Sequence, residues 1–172
     1  TPTFARGLRG AMRQAPDVIF VGEVRDHDTA LTALQASETG HLVLASLHSE
    51  RVADTMERFL NLFPPDQTNL GLHLLAHQLV GVLCQKLVQD VNGNLTLLTE
   101  FLENGGAVRD WIARRDVDHI DEYMQRGSDP NSQTFLQSIL NAFQSGIIDE
   151  ATAIVATGNE TEFRRAARGI TS

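Results

Sequence analysis

Apolar and polar positions alternate in blocks along this chain, and each block has a readable period. Val18 to Val21 is a four-residue apolar run rich in β-branched types, which predicts a strand buried on both faces. From His27 to Glu38, Ala30, Leu31, Leu34 and Ala36 recur near the helical period, and Thr39-Gly40 stops the pattern. Leu42 to Leu47 is a second apolar run and therefore a second strand. Strand, helix and strand within about thirty residues predict a βαβ unit, with parallel strands and a right-handed crossover.

The flanking blocks are mostly helical. Phe4 to Gln14 spaces Phe4, Leu8 and Met12 on one face, and Pro16 ends it. Arg6, Arg9 and Arg13 lie near one another on that helix, as a solvated stripe or an electropositive subunit contact. Glu50 to Leu62 gathers Val52, Met56, Phe59 and Leu60, and Phe63-Pro64-Pro65-Asp66 breaks it. Gln67 to Leu83 reads as one longer helix carrying Leu70, Leu74, Leu75, Leu79 and Val82. Asn92-Gly93 then sits between two β-rich runs, so Gln85 to Leu102 predicts a hairpin. The tail predicts helices over Ala107 to Ala113, Val117 to Gln125, Gln133 to Gln144, Asp149 to Ala156 and Glu160 to Ala167.

Parallel strands deliver the residues just past their ends to the same carboxyl edge, where open α/β sheets bind ligands. Glu23 and His48 each occupy such a position. A carboxylate that holds a metal or orients a water, and an imidazole that donates to a phosphate oxygen, suit a magnesium-phosphate group. The same spacing also fits a capping glutamate beside a surface histidine. The net charge of −8 argues against a general nucleic-acid footprint, and Arg164, Arg165 and Arg168 read as a solvated helix face. No stretch approaches the ~20 apolar residues of a membrane span. A single cysteine, Cys84, and the lack of a signal peptide fit a reducing cytoplasm, and Cys84 reads as a small buried hydrophobe. His73 and His77 stand at i, i+4, a spacing that binds metals, but no Glu follows His73 and no third ligand is apparent. The chain has one lysine, Lys86, outside any Gly-x-x-x-x-Gly-Lys-Ser/Thr loop, and it begins at Thr1 inside a helical pattern. The expectation is the carboxy-terminal part of a P-loop enzyme, with its phosphate cradle upstream.

The segment from Leu8 to Ser49 closely resembles the secretion ATPases that drive type IV pili and type II secretion. Ile19-Phe20-Val21-Gly22-Glu23-Val24-Arg25-Asp26 matches their Walker B element. Thr39-Gly40-His41-Leu42-Val43-Leu44-Ala45-Ser46-Leu47-His48 matches their histidine box, with Ser46 and Ser49 where many members carry Thr. The resemblance implies an α/β fold: a partial RecA-like P-loop ATPase core with a parallel sheet, a β-hairpin and a helical carboxy-terminal tail. It implies a division into 1–102, the ATPase core, and 103–172, a helical subdomain. The cofactors implied are ATP and Mg2+. Catalysis falls to Glu23 and His48, and nucleotide contacts to Gly22, Glu23, Arg25, His41 and His48. Glu23 acts on magnesium through water, while Arg25 and Asp26 hold the loop.

The tail resembles the pilus retraction branch. Phe63-Pro64, Ala107-Val108-Arg109-Asp110-Trp111-Ile112, Gln133-Thr134-Phe135-Leu136 and Gly146-Ile147-Ile148-Asp149-Glu150-Ala151 all match that branch, with Asp110 and Trp111 departing from its usual residues. The four-cysteine zinc site of assembly ATPases is impossible with one cysteine. The resemblance therefore implies part of a homohexameric, cytoplasmic motor, peripheral at the inner membrane, that hydrolyses ATP and works on a membrane platform protein. The fragment alone is expected to be inactive. The rivals are an assembly, secretion or conjugation motor, and a non-catalytic interaction module lacking the P-loop.

Overall fold

Residues 3–127 and 129–169 are described by a computed structural model. The elements run α1 (Phe4–Met12), β1 (Val18–Val21), α2 (His27–Glu38), β2 (Leu42–Ala45), α3 (Val52–Leu60), α4 (Thr68–Gln78), β3 (Gly81–Gln89) and β4 (Leu95–Glu103). Then come α5 (Gly106–Ala113), α6 (Val117–Arg126), α7 (Phe135–Gln144), α8 (Glu150–Thr157) and α9 (Glu160–Ala167). They form two compact units that interleave along the chain. One comprises Thr1–Gly81 with Asn104–Asp121, the other Val82–Glu103 with Glu122–Ser172.

In the first unit β1 and β2 pair in parallel, with Val18 opposite Leu42, Ile19 opposite Val43, Phe20 opposite Leu44 and Val21 opposite Ala45. This is the predicted βαβ pair. The expectation of burial on both faces is corrected. Helix α1 packs on β1, α2 packs on β2, and the two helices pack on each other. They cover the face carrying Ile19 and Val21. Side chains alternate across a strand, so Val18, Phe20, Leu42 and Leu44 share the opposite face, and all four are exposed, Phe20 at 73%.

Helix α4 packs against α2, α3 and α5. It ends at Gln78 rather than running to Leu83 as its leucines predicted. Leu79 is already extended at ψ 130°. The residues beyond it, Val80 to Leu83, include two β-branched valines and a glycine, and from Gly81 on they form β3. Asn104 closes the helix, with its amide donating to the carbonyls of Ala76 (3.0 Å) and Leu79 (2.8 Å). Those are the carbonyls that a helix end leaves without partners. Phe63, from the proline-broken stretch, is buried against the α4 backbone, and a Cβ on Gly71 would fall 2.8 Å from its ring.

In the second unit β3 and β4 form the hairpin that Asn92-Gly93 predicted. Gly93 takes φ +83°, and the Asp90 carboxylate accepts from the backbone N–H of Asn92 and Asn94, both at 2.8 Å. Helix α7 lies on β4 and carries α8 and α9. The core there is Leu98, Ile139, Ala142, Ile148, Ala153, Ala156 and Phe163. Lys86, the one lysine, is structural: its Nζ donates to the Ala156 carbonyl at 3.0 Å and lies 5.2 Å from the centre of the Phe135 ring.

Candidate functional site

Past β1 the chain does not turn away at once. The Val24 N–H donates to the Ser46 carbonyl (3.0 Å), the Ser46 N–H to the Val21 carbonyl (3.3 Å), and the Ser46 hydroxyl to the Gly22 carbonyl. These bonds carry the pairing beyond the strands and clamp the backbone on either side of Glu23. Val24 is buried, and Asp26 caps α2 by accepting from the Thr29 N–H at 2.8 Å. Between these anchors Glu23 projects at the carboxyl edge with its side chain 16% exposed.

His48 lies in the loop between β2 and α3. Its Nε2 stands 3.4 Å from Glu23 Oε1, and the imidazole is 79% exposed. The Arg25 guanidinium pairs with the other oxygen, Oε2, through a short hydrogen bond. That bond and the arginine's charge hold the Glu23 carboxyl below its usual range, with His48 and Arg58 adding to the effect and desolvation opposing it. Glu23 is therefore ionised near neutral pH.

His48, Ser49, Asp54, Glu57, Arg58, Asn61 and Leu62 line an open depression of about 660 Å³. Arg58 is a site residue that sequence reasoning missed. It belongs to the polar face of α3, one helical turn after Asp54, and that i, i+4 spacing was its only signal. The Ser49 hydroxyl is buried and has no hydrogen-bond partner. Gly22 is open: a Cβ there meets nothing within 4 Å, so the packing around it leaves room for a side chain.

The structure thus brings together Gly22, Glu23, Arg25 and His48, but not His41. His41 precedes β2 at the amino edge, the other end of the strand from Glu23 and His48. Its Nδ1 lies 3.0 Å from the Ala36 carbonyl and 3.1 Å from the Thr39 hydroxyl, where it closes the end of α2. Its contacts in this chain are those of a helix-end residue.

The donor set fits a magnesium-nucleotide. Magnesium is commonly held by one or two carboxylates together with substrate phosphates, and Glu23 supplies one ionised carboxylate. Arg25 and Arg58 supply donors and positive charge for phosphate oxygens, His48 an imidazole, and Ser49 an unused hydroxyl. No group of three or more His, Cys, Asp or Glu side chains forms a closed metal cage among the described residues.

Residues 1–159 match the family described as Type II/IV secretion system protein. The chain belongs to this family. It is 36% identical to a twitching motility protein of Neisseria gonorrhoeae over 86% of its own length and 40% of that protein's. It is 32% identical to the type IV pilus ATPase PilU of Pseudomonas aeruginosa, over 95% of this chain and 43% of that one. The fold superposes on a crystal structure of the pilus retraction motor PilT with bound ADP at a TM-score of 0.84 and 36% identity, covering 96% of this chain and 46% of that one. The chain therefore spans less than half the length of these relatives. Among the described residues no helix is long and apolar enough to cross a membrane.

Proposed function

We propose that this chain is the carboxy-terminal part of a magnesium-dependent ATPase that powers type IV pilus retraction. The observation that carries the reading is the convergence of Glu23 and His48, 3.4 Å apart, at the edge shared by β1 and β2. The ADP held by the PilT relative supports a nucleotide as the ligand. The whole protein is a cytoplasmic homohexamer, peripheral at the inner membrane, acting on a pilus platform protein.

When bound, magnesium neutralises phosphate charge in such sites and aligns the reacting groups. Glu23 would hold the ion with its carboxylate in the ionised form. Arg25 keeps it so. His48 would donate from its exposed imidazole to a phosphate oxygen, and Arg58 adds positive charge to the same depression. These residues act by position and charge, and the phosphate-cradling loop comes from the part of the protein upstream.

Glu23→Gln in the full-length protein removes the charge and keeps the shape. ATP hydrolysis should be abolished while nucleotide binding is retained, and normal turnover would overturn the reading. Pulling and pushing motors share these hydrolysis residues, and the PilU relative is nearly as similar as PilT. Direction is therefore tested separately, by asking whether cells lacking the gene lose pilus retraction and twitching or lose pili altogether.

A further inference from the structure

Helix α4 carries a second cluster of ligating side chains that the nucleotide reading leaves unused. The helix buries Gly71, Leu72, Leu74, Leu75 and Ala76, and turns His73 and His77 to solvent. The two imidazoles lie side by side and tilted, with ring centres 4.4 Å apart and planes 40° apart. His77 Nδ1 lies 2.8 Å from the His73 carbonyl oxygen. A carbonyl only accepts, so in the neutral ring this nitrogen carries the proton and Nε2 keeps the free lone pair. Metal-binding histidines have their second nitrogen fixed in this way, which sets the tautomer and aims the ligand.

The spacing suits chelation. Two imidazole nitrogens each about 2.1 Å from one ion, at a right angle to each other, place their ring centres about 4.5 Å apart, and a tetrahedral angle places them farther apart, at about 5.3 Å. The observed 4.4 Å lets both rings reach one ion, and the general affinity order of divalent ions for imidazole puts copper(II) first. Neutral imidazole also discriminates against the hard ions magnesium and calcium, which take oxygen ligands.

We propose that His73 and His77 form a two-imidazole chelate for a divalent transition ion, copper(II) before nickel(II) before zinc(II). With no third protein ligand among the described residues, the remaining positions go to water or to a donor from another molecule. The contact to the His73 carbonyl orients the His77 ring before the ion arrives, so less side-chain freedom is lost on binding. The site is independent of Glu23 and His48 and stands whether or not the ATPase reading does.

The test is calorimetric titration of the 172-residue chain with copper(II), nickel(II), zinc(II) and magnesium chlorides in a non-chelating buffer. Copper should bind saturably at micromolar concentration, nickel and zinc more weakly, and magnesium not at this site. His73→Gln and His77→Gln should each weaken copper binding by about tenfold or more, and the double variant should abolish it. Both side chains are exposed, so the variants should keep the parent's circular dichroism, and nickel should raise the melting temperature of the parent but not of the double variant. Absence of saturable copper binding, or copper binding undiminished in the double variant, would overturn the proposal.

Discussion

At the scale of single residues the chemistry turns on how Glu23 is kept charged. Arg25 does most of this, first through its hydrogen bond and then through its charge. Arg25→Ala should therefore raise the Glu23 pKa, as followed by NMR of the side-chain carboxyl, and an unchanged titration would show that another group sets it. Gly22 gives a complementary prediction. Nothing in this chain crowds a Cβ there, so Gly22→Ala should leave the melting temperature nearly unchanged, and a large drop would show that this chain's own packing requires glycine. Asp116 is a second carboxylate held below its usual range, first by the hydrogen bond from His119 at 2.7 Å. A carboxylate whose pKa is depressed on folding contributes stability above its unfolded-state pKa and loses it as pH falls through the folded value. Denaturant midpoints should therefore decline as pH falls below about 4, the ordinary aspartate value. His119→Gln should flatten that decline, whereas an identical pH profile in the variant would refute the pairing.

At the scale of elements, single contacts secure helix ends and helix faces. Helix α7 begins with a complete capping box: the Thr134 hydroxyl accepts from the Gln137 N–H, and the Gln137 side chain accepts from the Thr134 N–H. Thr134 is buried, and Thr134→Ala should cost about 1 kcal/mol in chemical denaturation. Lys86 ties β3 to the carboxyl end of α8, where its charge meets the negative end of the helix dipole. Lys86→Met keeps the stem and loses the donor, and should cost about 1–3 kcal/mol. Gly71 is required by close approach, so Gly71→Ala pushes into the Phe63 ring and should destabilise by about 1–3 kcal/mol. Phe63 also meets the His27 ring edge-on at 5.2 Å. The proline-broken stretch after α3 thereby braces the start of α2, the helix that comes after the Glu23 loop.

At the scale of the whole chain the uncovered apolar faces matter most. Val18, Phe20, Leu42 and Leu44 form one patch on the parallel pair, and Leu83, Leu87, Leu95 and Leu97 are exposed along the hairpin. Contiguous exposed apolar surface favours association, and a two-stranded parallel pair presents open edges to another chain. The 172-residue chain should self-associate with increasing concentration in sedimentation velocity. Phe20→Ser with Leu44→Ser should shift it toward monomer without loss of helical signal, and an unchanged distribution would place the association elsewhere.

The order and type of the elements were decided by local pattern. Residues 27–38 announced their helix through period and the Thr39-Gly40 stop, and Asn92-Gly93 announced its turn, because backbone sterics and neighbouring side chains act within a few residues. The parallel pairing of β1 and β2, and with it the meeting of Glu23 and His48, was also legible, since a βαβ unit leaves strand direction little choice. Tertiary structure alone decided the rest. It ended α4 at Gln78, where Asn104, distant in sequence, satisfies the free carbonyls. It set His41 at the far end of β2, because the position of a residue along a strand, rather than its motif, decides which edge it reaches. It brought Arg58 into the depression beside His48 and left one face of β1 bare. Each of these depends on which surfaces meet across long stretches of chain, and hydrophobic period records only that a residue is apolar, not what covers it.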